Sequence, residues 1–369
     1  MQIVFVILFL FVTAASIPAQ QTNQYFPIWQ SEEPNIADLG LIYQGGTHRH
    51  PWTPDQLAPY VSFRPGPESS IQTEQWLFDG FLFIEFQDGR GHTYETGRNL
   101  KPAGKEEWRW LLDRNFEPGH GVPALETICR ETRQRIGAPI RKRQVILTIP
   151  EPINGQTTWG EIDGRPLYFT NAADRVAACG WFIDEAIKRW NAAGFQELEL
   201  AGFYWVHENA NTARDVLPEV ARLVHQQKKK FFWIPYWGRT AAAEWRSFGF
   251  DVAWQQPNHF FNTNIPNSRI TEACEFAKQH GMGMEMEFDG RMISDPAAFR
   301  PRFHAYLEGF ELSGARDNAS IAYYEGGGAV LQLARSNKPA VREQYDILAK
   351  WILDRQAIAD RAAKRSRTN

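Results

Sequence analysis

The sequence predicts an α/β fold, a single (β/α)8 TIM barrel with elaborated loops after its strands. Apolar segments of strand length alternate eight times with amphipathic segments of helix length along the 369 residues. The strand segments are almost continuously apolar, as parallel strands covered on both faces are. No change of composition divides the chain, and its length suits one barrel. We therefore expect one domain over residues 20–369, with a barrel core over about residues 38–358.

The predicted strands are apolar runs that stop at Gly, Pro or polar residues. The first stops at Gln44-Gly45-Gly46 and the third stops at Pro150. The eight predicted strands are residues 38–43, 78–86, 143–149, 198–206, 230–237, 251–256, 281–290 and 320–325.

The predicted helices are amphipathic segments, several of which carry a clear stop signal. Gly194 and Gly281 follow two of these segments directly, and glycine is common just after a helix. The predicted helices are residues 54–60, 105–112, 124–136, 172–193, 215–227, 241–248, 268–280, 296–313 and 338–362.

The first residues are typical of a secretory signal peptide. Residues 3–12 form an apolar run, and small residues follow at positions 13–16. The run is too short for a comfortable membrane span, so an uncleaved anchor is the less favoured alternative. We predict a signal peptide over residues 1–19, a secreted or periplasmic protein, and no membrane contact after cleavage.

Charge and composition narrow the range of partners. A net charge of −3 gives no basis for binding nucleic acid or an anionic membrane surface. The three cysteines lie far apart, which favours neither a disulfide framework nor a metal cluster. Aromatic residues make up 14% of the chain, and their rings both pack in cores and stack on sugar faces. Composition alone leaves both of these uses open.

Polar and aromatic residues concentrate where the predicted strands end. In barrels of this class the chemistry lies at the carboxyl ends of the strands. These positions therefore supply the candidate substrate-binding residues. They are Tyr43, His48, Glu151, Tyr204, Trp205, His207, Tyr236, Trp237, Gln255, Asn258, Glu285, Asp289, Tyr324 and Glu325.

The predicted seventh strand alternates methionine with acid. Its side chains alternate between two faces, so Glu285, Glu287 and Asp289 share one face and Met284 and Met286 share the other. In a strand covered on both faces, the acidic side must meet something polar. This pattern favours a site over a solvent-exposed surface.

Two carboxyl groups across the mouth of the barrel predict hydrolysis of a glycosidic bond. That reaction needs one protonated carboxyl and one ionised carboxylate. Many barrel glycosidases place the acid/base after strand four and the nucleophile at the end of strand seven. By analogy with them, Glu208 is the predicted acid/base and Glu287 the predicted nucleophile, with retention of anomeric configuration. Alternatively, Glu285 or Asp289 performs the chemistry while Glu287 only binds substrate.

Two other functions fit the same residues. A carbohydrate-binding barrel without catalysis would keep the aromatic residues and lack a working acid pair. A metal-dependent hydrolase would use His48, His50 and His207 with nearby carboxylates. No single element carries an HExxH spacing, so we predict no metal site.

Several short segments at the strand ends, among them Gly202-Phe203-Tyr204-Trp205 and Met284-Glu285-Met286-Glu287, resemble those of a known family, the barrel proteins grouped as domain of unknown function 4855. The resemblance spans roughly Asp38 to Arg355 and implies a glycoside-hydrolase-like barrel with a saccharide substrate and no organic cofactor. One departure from the barrel glycosidases is that His207 stands where they commonly have Asn before the acid/base. The matching segments are Asp79-Gly80-Phe81, Gly202-Phe203-Tyr204-Trp205, His207-Glu208, Ile234-Pro235-Tyr236-Trp237, Gln255-Gln256-Pro257-Asn258, Met284-Glu285-Met286-Glu287 and Tyr323-Tyr324-Glu325.

Overall fold

Eight parallel strands close into a barrel in the computed structural model, which describes residues 23–32, 35–66, 69 and 71–368. Each strand pairs with its neighbour in sequence, and the last pairs with the first through Asp38 and Ile321. The predicted (β/α)8 fold is therefore confirmed. The strands are β1 (Asp38–Tyr43), β2 (Gly80–Ile84), β3 (Arg143–Ile149), β4 (Leu198–Trp205), β5 (Lys230–Trp233), β6 (Val252–Gln255), β7 (Gly283–Glu287) and β8 (Ile321–Tyr324).

Helices follow the strands and cover the outside of the barrel. The segment Thr240–Phe248 after β5, predicted as a helix, is a 3-10 helix. A second short 3-10 helix, Ala210–Thr212, follows β4. The α-helices are α1 (Pro54–Val61), α2 (Lys105–Asn115), α3 (Gly121–Ile136), α4 (Ala172–Ala193), α5 (Leu217–Gln226), α6 (Ser268–His280), α7 (Arg291–Ser294), α8 (Pro296–Leu312), α9 (Ala315–Asn318), α10 (Ala329–Ala334) and α11 (Pro339–Thr368).

Local sequence explains where the best-predicted helices begin and end. The Asn171 side chain accepts a hydrogen bond from the Ala173 amide at 2.9 Å and so caps the start of α4. Gly194 and Gly281 follow α4 and α6 in the left-handed conformation, with φ of 62° at both positions. Glycine adopts this conformation without a steric penalty, so both helices end at the predicted residue.

The loops carry small sheets that the sequence analysis missed. Ser62–Phe63 pairs with Gln75–Trp76, and Gly160–Ile162 pairs with Arg165–Leu167 to form a hairpin after β3. A further pair, His92–Thr93 with Lys101–Pro102, lies in the β2–α2 connection. These segments are only two or three residues long, too short for a periodic pattern to indicate them.

Side chains alternate between two apolar layers along each strand. Leu41, Ile84, Ile146 and Trp254 belong to the cluster inside the barrel. Met284 and its outward-facing equivalents pack between the strands and the helices. This alternation decides which residue at each strand end faces the interior and which lies behind the sheet.

Buried charges fill the amino-terminal end of the barrel. Asp38 at the start of β1 forms an ion pair of 2.6 Å with Arg355 of α11, and neither side chain is exposed. Tyr323 and Gln356 also donate hydrogen bonds to the Asp38 carboxylate, at 2.6 and 2.7 Å. Because these polar groups form ion pairs and hydrogen bonds with one another, we assign this end of the barrel a structural role.

The predicted signal peptide lies outside the residues that the structure describes. The signal peptide over residues 1–19, and with it secretion, stays a prediction, as do the domain bounds 20–369 and 38–358. Within the part of the chain that is described, none of the helices combines the length and apolarity that crossing a membrane requires.

Candidate active site

A cavity of about 330 Å³ opens at the carboxyl ends of the strands. A larger depression of about 710 Å³ lies elsewhere, at the start of α11, and contains no strand-end residue. The cavity at the barrel mouth combines apolar side chains, aromatic rings and two carboxyl groups. Its lining residues are Leu41, Tyr43, Ile84, Phe86, Tyr204, Glu208, Ile234, Tyr236, Gln256, Asn258, Phe261, Asn262, Ile265, Glu285 and Tyr324.

Glu285 is the more deeply buried of the two cavity carboxyls. It lies within β7, is 3% exposed, and receives no hydrogen bond from any residue that the structure describes. Burial raises its pKa well above the ordinary value, and the negative charges of Glu287 and Glu208 raise it further. The Glu285 carboxyl therefore holds a proton tightly.

Glu208 follows β4 by three residues and lies in a more polar setting. Burial raises the pKa of its carboxyl. A hydrogen bond with Gln256 and the positive charges of Arg98 and Arg239 act in the opposite direction. These groups favour the ionised form, so Glu208 gives up its proton more readily than Glu285 does.

Glu287, the predicted nucleophile, does not line the cavity. Its carboxylate accepts hydrogen bonds from the backbone amides of Asn258 at 2.9 Å, His259 at 2.9 Å and Phe260 at 3.3 Å. The Tyr306 hydroxyl of α8 donates to the same carboxylate. Burial raises the pKa of Glu287 to about 7, and these hydrogen bonds oppose the rise. Both oxygens face the loop after β6, so this geometry does not favour Glu287 as a nucleophile.

Four tyrosines surround the cavity with hydroxyl groups that lack a protein partner. Among the described residues, none forms a hydrogen bond with the hydroxyl of Tyr43, Tyr204, Tyr236 or Tyr324. Tyr43 and Tyr204 are only 6% and 1% exposed, so their hydroxyls meet little besides the cavity. Other buried tyrosine hydroxyls do donate to protein acceptors, namely those of Tyr60, Tyr94, Tyr306, Tyr323 and Tyr345.

A family model matches residues 38–350, which include the whole barrel and every residue of this cavity. The family is described as domain of unknown function (DUF4855). The chain belongs to the DUF4855 family. A comparison with curated proteins finds no match.

Several solved structures are similar to this DUF4855 protein at low sequence identity. The catalytic domain of a family GH18 chitinase from the fern Peteris ryukyuensis is 13% identical, with a TM-score of 0.42, over 85% of this chain and 99% of that one. A family 10 endo-beta-1,4-xylanase is 10% identical, with a TM-score of 0.42, over 78% and 86%. A mutant tryptophan synthase α-subunit from Pyrococcus furiosus is 10% identical, with a TM-score of 0.41, over 86% and 98%. Likenesses of this strength say nothing about the activity of the DUF4855 chain.

Three of the predicted site residues lie behind the DUF4855 cavity wall. Trp205 points away from the interior because its neighbour Tyr204 points inward, and it packs against Phe231 in the outer layer. Trp237 packs against Phe276, and Arg269 lies over its ring. The third of these residues is Gln255, whose side-chain amide donates hydrogen bonds to the backbone carbonyl oxygens of Pro235 and Gln256.

Three others lie outside the cavity lining, although each follows a strand or loop near it. Glu151 accepts hydrogen bonds from the Thr96 amide at 2.6 Å and the Thr212 hydroxyl at 2.8 Å. The His207 ring pairs with the Asn209 carbonyl oxygen at 3.0 Å, and burial lowers its pKa. His48 is exposed on the loop after β1.

The last two predicted acidic residues stabilise the backbone at the starts of α7 and α10. Asp289 forms an ion pair of 2.7 Å with Arg291 at the start of α7. Glu325 caps α10 by accepting hydrogen bonds from the amides of Gly328 at 2.7 Å and Val330 at 3.0 Å. Neither carboxylate lines the cavity.

The sequence analysis missed several cavity residues. Gln256 was detectable, because inward-facing Val252 and Trp254 place the next inward position at 256 and not at 255. Phe261, Asn262 and Ile265 come from an irregular loop, where no periodicity marks the inward positions. No group of three or more His, Cys, Asp or Glu among the described residues is arranged to hold a metal ion.

Proposed function

We propose that this DUF4855 barrel is a glycoside hydrolase that acts on an oligo- or polysaccharide through Glu208 and Glu285. The observation that carries this proposal is the meeting of two carboxyls of different acidity with unpaired tyrosine hydroxyls in one cavity. Glycosidic cleavage needs one protonated and one ionised carboxyl. Sugar hydroxyls are the natural partners for hydroxyl groups that the protein leaves unpaired.

The environments of the two carboxyls assign their roles. Glu285, buried and without donors, keeps its proton and acts as the general acid toward the leaving oxygen. Glu208, whose ionised form the positive charges of Arg98 and Arg239 favour, is the carboxylate that attacks the anomeric carbon, with retention. This assignment differs from the sequence prediction, which makes Glu208 the acid and Glu287 the nucleophile. The negative charge of Glu208 raises the pKa of Glu285 further, so an ionised Glu208 helps to keep Glu285 protonated.

A second candidate is a barrel that binds carbohydrate without cleaving it. The unpaired tyrosine hydroxyls suit this function equally well, since they need no chemistry to bind a sugar. The carboxyl pair separates the two candidates. Acid-assisted cleavage needs one carboxyl that holds its proton and one that ionises, whereas binding alone does not need this difference in acidity.

A hydrolysis screen tests the proposal. Wild-type protein and the Glu285→Gln and Glu208→Gln variants are incubated with a panel of polysaccharides, with and without a chelator, and released reducing ends are measured. We expect turnover of at least one substrate by the wild type, loss in both variants, and no effect of the chelator. Binding without turnover supports the non-catalytic barrel, and loss of turnover with chelator supports the metal-dependent hydrolase.

The control variant for this screen is Glu126→Gln. Glu126 is also a buried carboxylate, and it accepts hydrogen bonds from the amides of Gln196 at 3.0 Å and Glu197 at 3.1 Å just before β4. It lies at the opposite end of the barrel from the cavity. Its removal costs stability without touching the proposed chemistry, so Glu126→Gln keeps its turnover at temperatures where it is folded.

A further inference from the structure

The cavity wall closes around most of the barrel mouth. Seven of the eight strands, or the loops directly after them, contribute lining residues, and only β3 contributes none. Aromatic rings lie on nearly all sides, with Tyr43 at the end of β1, Phe86 after β2, Tyr236 after β5 and Tyr324 at the end of β8. At the β3 position the buried carboxylate of Glu151 accepts hydrogen bonds from the Thr96 amide and the Thr212 hydroxyl, which connect the loops after β2 and β4 there. A substrate therefore meets a pocket and not a groove that crosses the mouth.

The Glu285 carboxyl lies at the floor of this pocket. Glu285 precedes the end of β7 by two residues, and its floor neighbour Leu41 precedes the end of β1 by two. Glu208 and Tyr236 come after their strands and form the rim. Two residues of a strand span about 6.6 Å, so the floor lies on the order of 5 Å below the rim once the strand tilt is included.

Hydrogen bonds to side chains of β7 and α8 fix the part of the cavity wall that follows β6. Its backbone amides donate to Glu287, and its carbonyl oxygens accept from Arg302 of α8, with Phe260 O at 3.1 Å and Ile265 O at 3.2 Å. The backbone is thus bound by buried groups of β7 and α8 at residues 258–260, where the loop begins, and at Ile265. A loop held in this way is a fixed wall and not a lid that opens for a long chain.

We propose that the pocket takes the end of a saccharide chain and that the enzyme is exo-acting, releasing the terminal sugar unit. This inference rests on the proposed glycoside hydrolase function. An interior sugar has a neighbour on each side, so it fits into the pocket only if the wall is open on two sides. The wall surrounds the mouth, so the rest of the chain leaves in a single direction, away from the floor. The volume of 330 Å³ is at the small end for ligand pockets, as a terminal unit requires.

Product formation tests the inference where a substrate is cleaved. Reducing ends and solution viscosity are followed together on the polysaccharide that the screen identifies. We expect reducing ends to rise while viscosity stays nearly constant, because an exo enzyme shortens chains from their ends. Oligosaccharides blocked at either end are compared with free ones, and one of the two blocks should slow release at least 100-fold. A rapid fall in viscosity, or equal rates on free and doubly blocked chains, would overturn the inference and leave the hydrolase proposal intact.

Binding provides a second readout that does not depend on turnover. The Glu285→Gln variant is titrated calorimetrically with free and end-blocked oligosaccharides from the panel. A loss of affinity of tenfold or more with one blocked end supports recognition of a chain end even where no hydrolysis is seen. Equal affinity for free and doubly blocked chains, or no binding to any of them, refutes it.

A variant in the loop after β6 tests whether this part of the cavity wall selects chain ends. Phe261→Ala lowers the wall at the β6 side, where Phe261 packs edge-on against Tyr324 at 5.1 Å. We expect this variant to accept end-blocked chains better than the wild type does, by tenfold or more. Phe276→Ala is the matched control, because Phe276 lies outside the cavity beside Trp237. If both variants treat blocked chains as the wild type does, the wall is not what selects chain ends.

Discussion

Replacing Glu285 by glutamine should make the protein more stable while it abolishes turnover. Glu285 is buried and without hydrogen-bond donors among the described residues, so its folded-state pKa is raised. The sign follows from linkage. A raised pKa gives a contribution to stability that is complete below the unfolded-state pKa and is lost as pH rises through the folded-state pKa. At neutral or alkaline pH the ionising carboxyl therefore costs stability, and glutamine removes that cost.

The size of the effect follows from the chemistry of the group. Stabilising substitutions commonly gain about 0.5–2 kcal/mol each, and their usual cost is lost function where the active site is destabilised. Glutamine keeps the shape of the side chain and its place on β7, so no cavity forms. Loss of a general acid costs about 10²–10⁴-fold in rate. Stability is measured by thermal unfolding at pH 5 and pH 8, and turnover by reducing-end release. The gain in stability should be larger at pH 8.

Glu287→Gln is the matched comparison, because Glu287 lies two residues away on the same strand. Its carboxylate accepts three backbone amides and the Tyr306 hydroxyl. Glutamine has one acceptor oxygen where the carboxylate has two, so at least one of these buried donors is left without a partner, and each costs about 1–3 kcal/mol. We expect this variant to lose about 2–4 kcal/mol of unfolding free energy. The reasoning is refuted if Glu285→Gln loses stability while Glu287→Gln stays stable and loses turnover, which would return Glu287 to the role of nucleophile.

Three further predictions concern the cavity. Glu285→Gln should recover activity on substrates whose leaving group needs no proton, measured with aryl glycosides, whereas Glu208→Gln should not; the reverse pattern would exchange their roles. The rate should fall as pH rises through the raised pKa of Glu285, because the general acid is then lost, and a kcat/KM profile with its alkaline limb near pH 4–5 would contradict the buried acid. Tyr204→Phe should raise KM about 3–10-fold with little change in kcat, since one neutral hydrogen bond contributes about 0.5–1.5 kcal/mol. Tyr94→Phe, whose hydroxyl donates to the Glu107 carbonyl, should leave KM unchanged.

The fold was predictable because its signals are local. Each barrel strand is an apolar run, and α4 and α6 end where Gly194 and Gly281 allow a left-handed turn. The helix after β5 was harder, since Thr240–Phe248 has the composition of a helix but winds as a 3-10 segment. Propensity does not separate these two forms well, and tertiary contacts decide between them.

The site was only partly predictable because its decisive contacts are distant in sequence. Alternation placed Glu285 and Glu287 on one face of a strand, as the sequence analysis expected. Nothing in that pattern shows that Tyr306, 19 residues later, reaches back to Glu287. Nor does it show that the loop after β6 turns its amides toward that carboxylate. The alternative in which Glu285 performs the chemistry could be weighed from the sequence, but only the fold gives a reason to prefer it.

Hydrogen-bond satisfaction separates the structural polar groups of this barrel from the candidate functional ones. Glu287 and Glu325 are buried, and each has its oxygens filled by backbone amides and a tyrosine hydroxyl. Glu285 and Tyr204 are buried just as deeply, yet no described residue bonds the Glu285 carboxyl or the Tyr204 hydroxyl. A folded protein gains nothing from such groups, because an unpaired buried polar group costs about 1–3 kcal/mol. Their convergence on one cavity is therefore explained most simply by a ligand that supplies the missing partners.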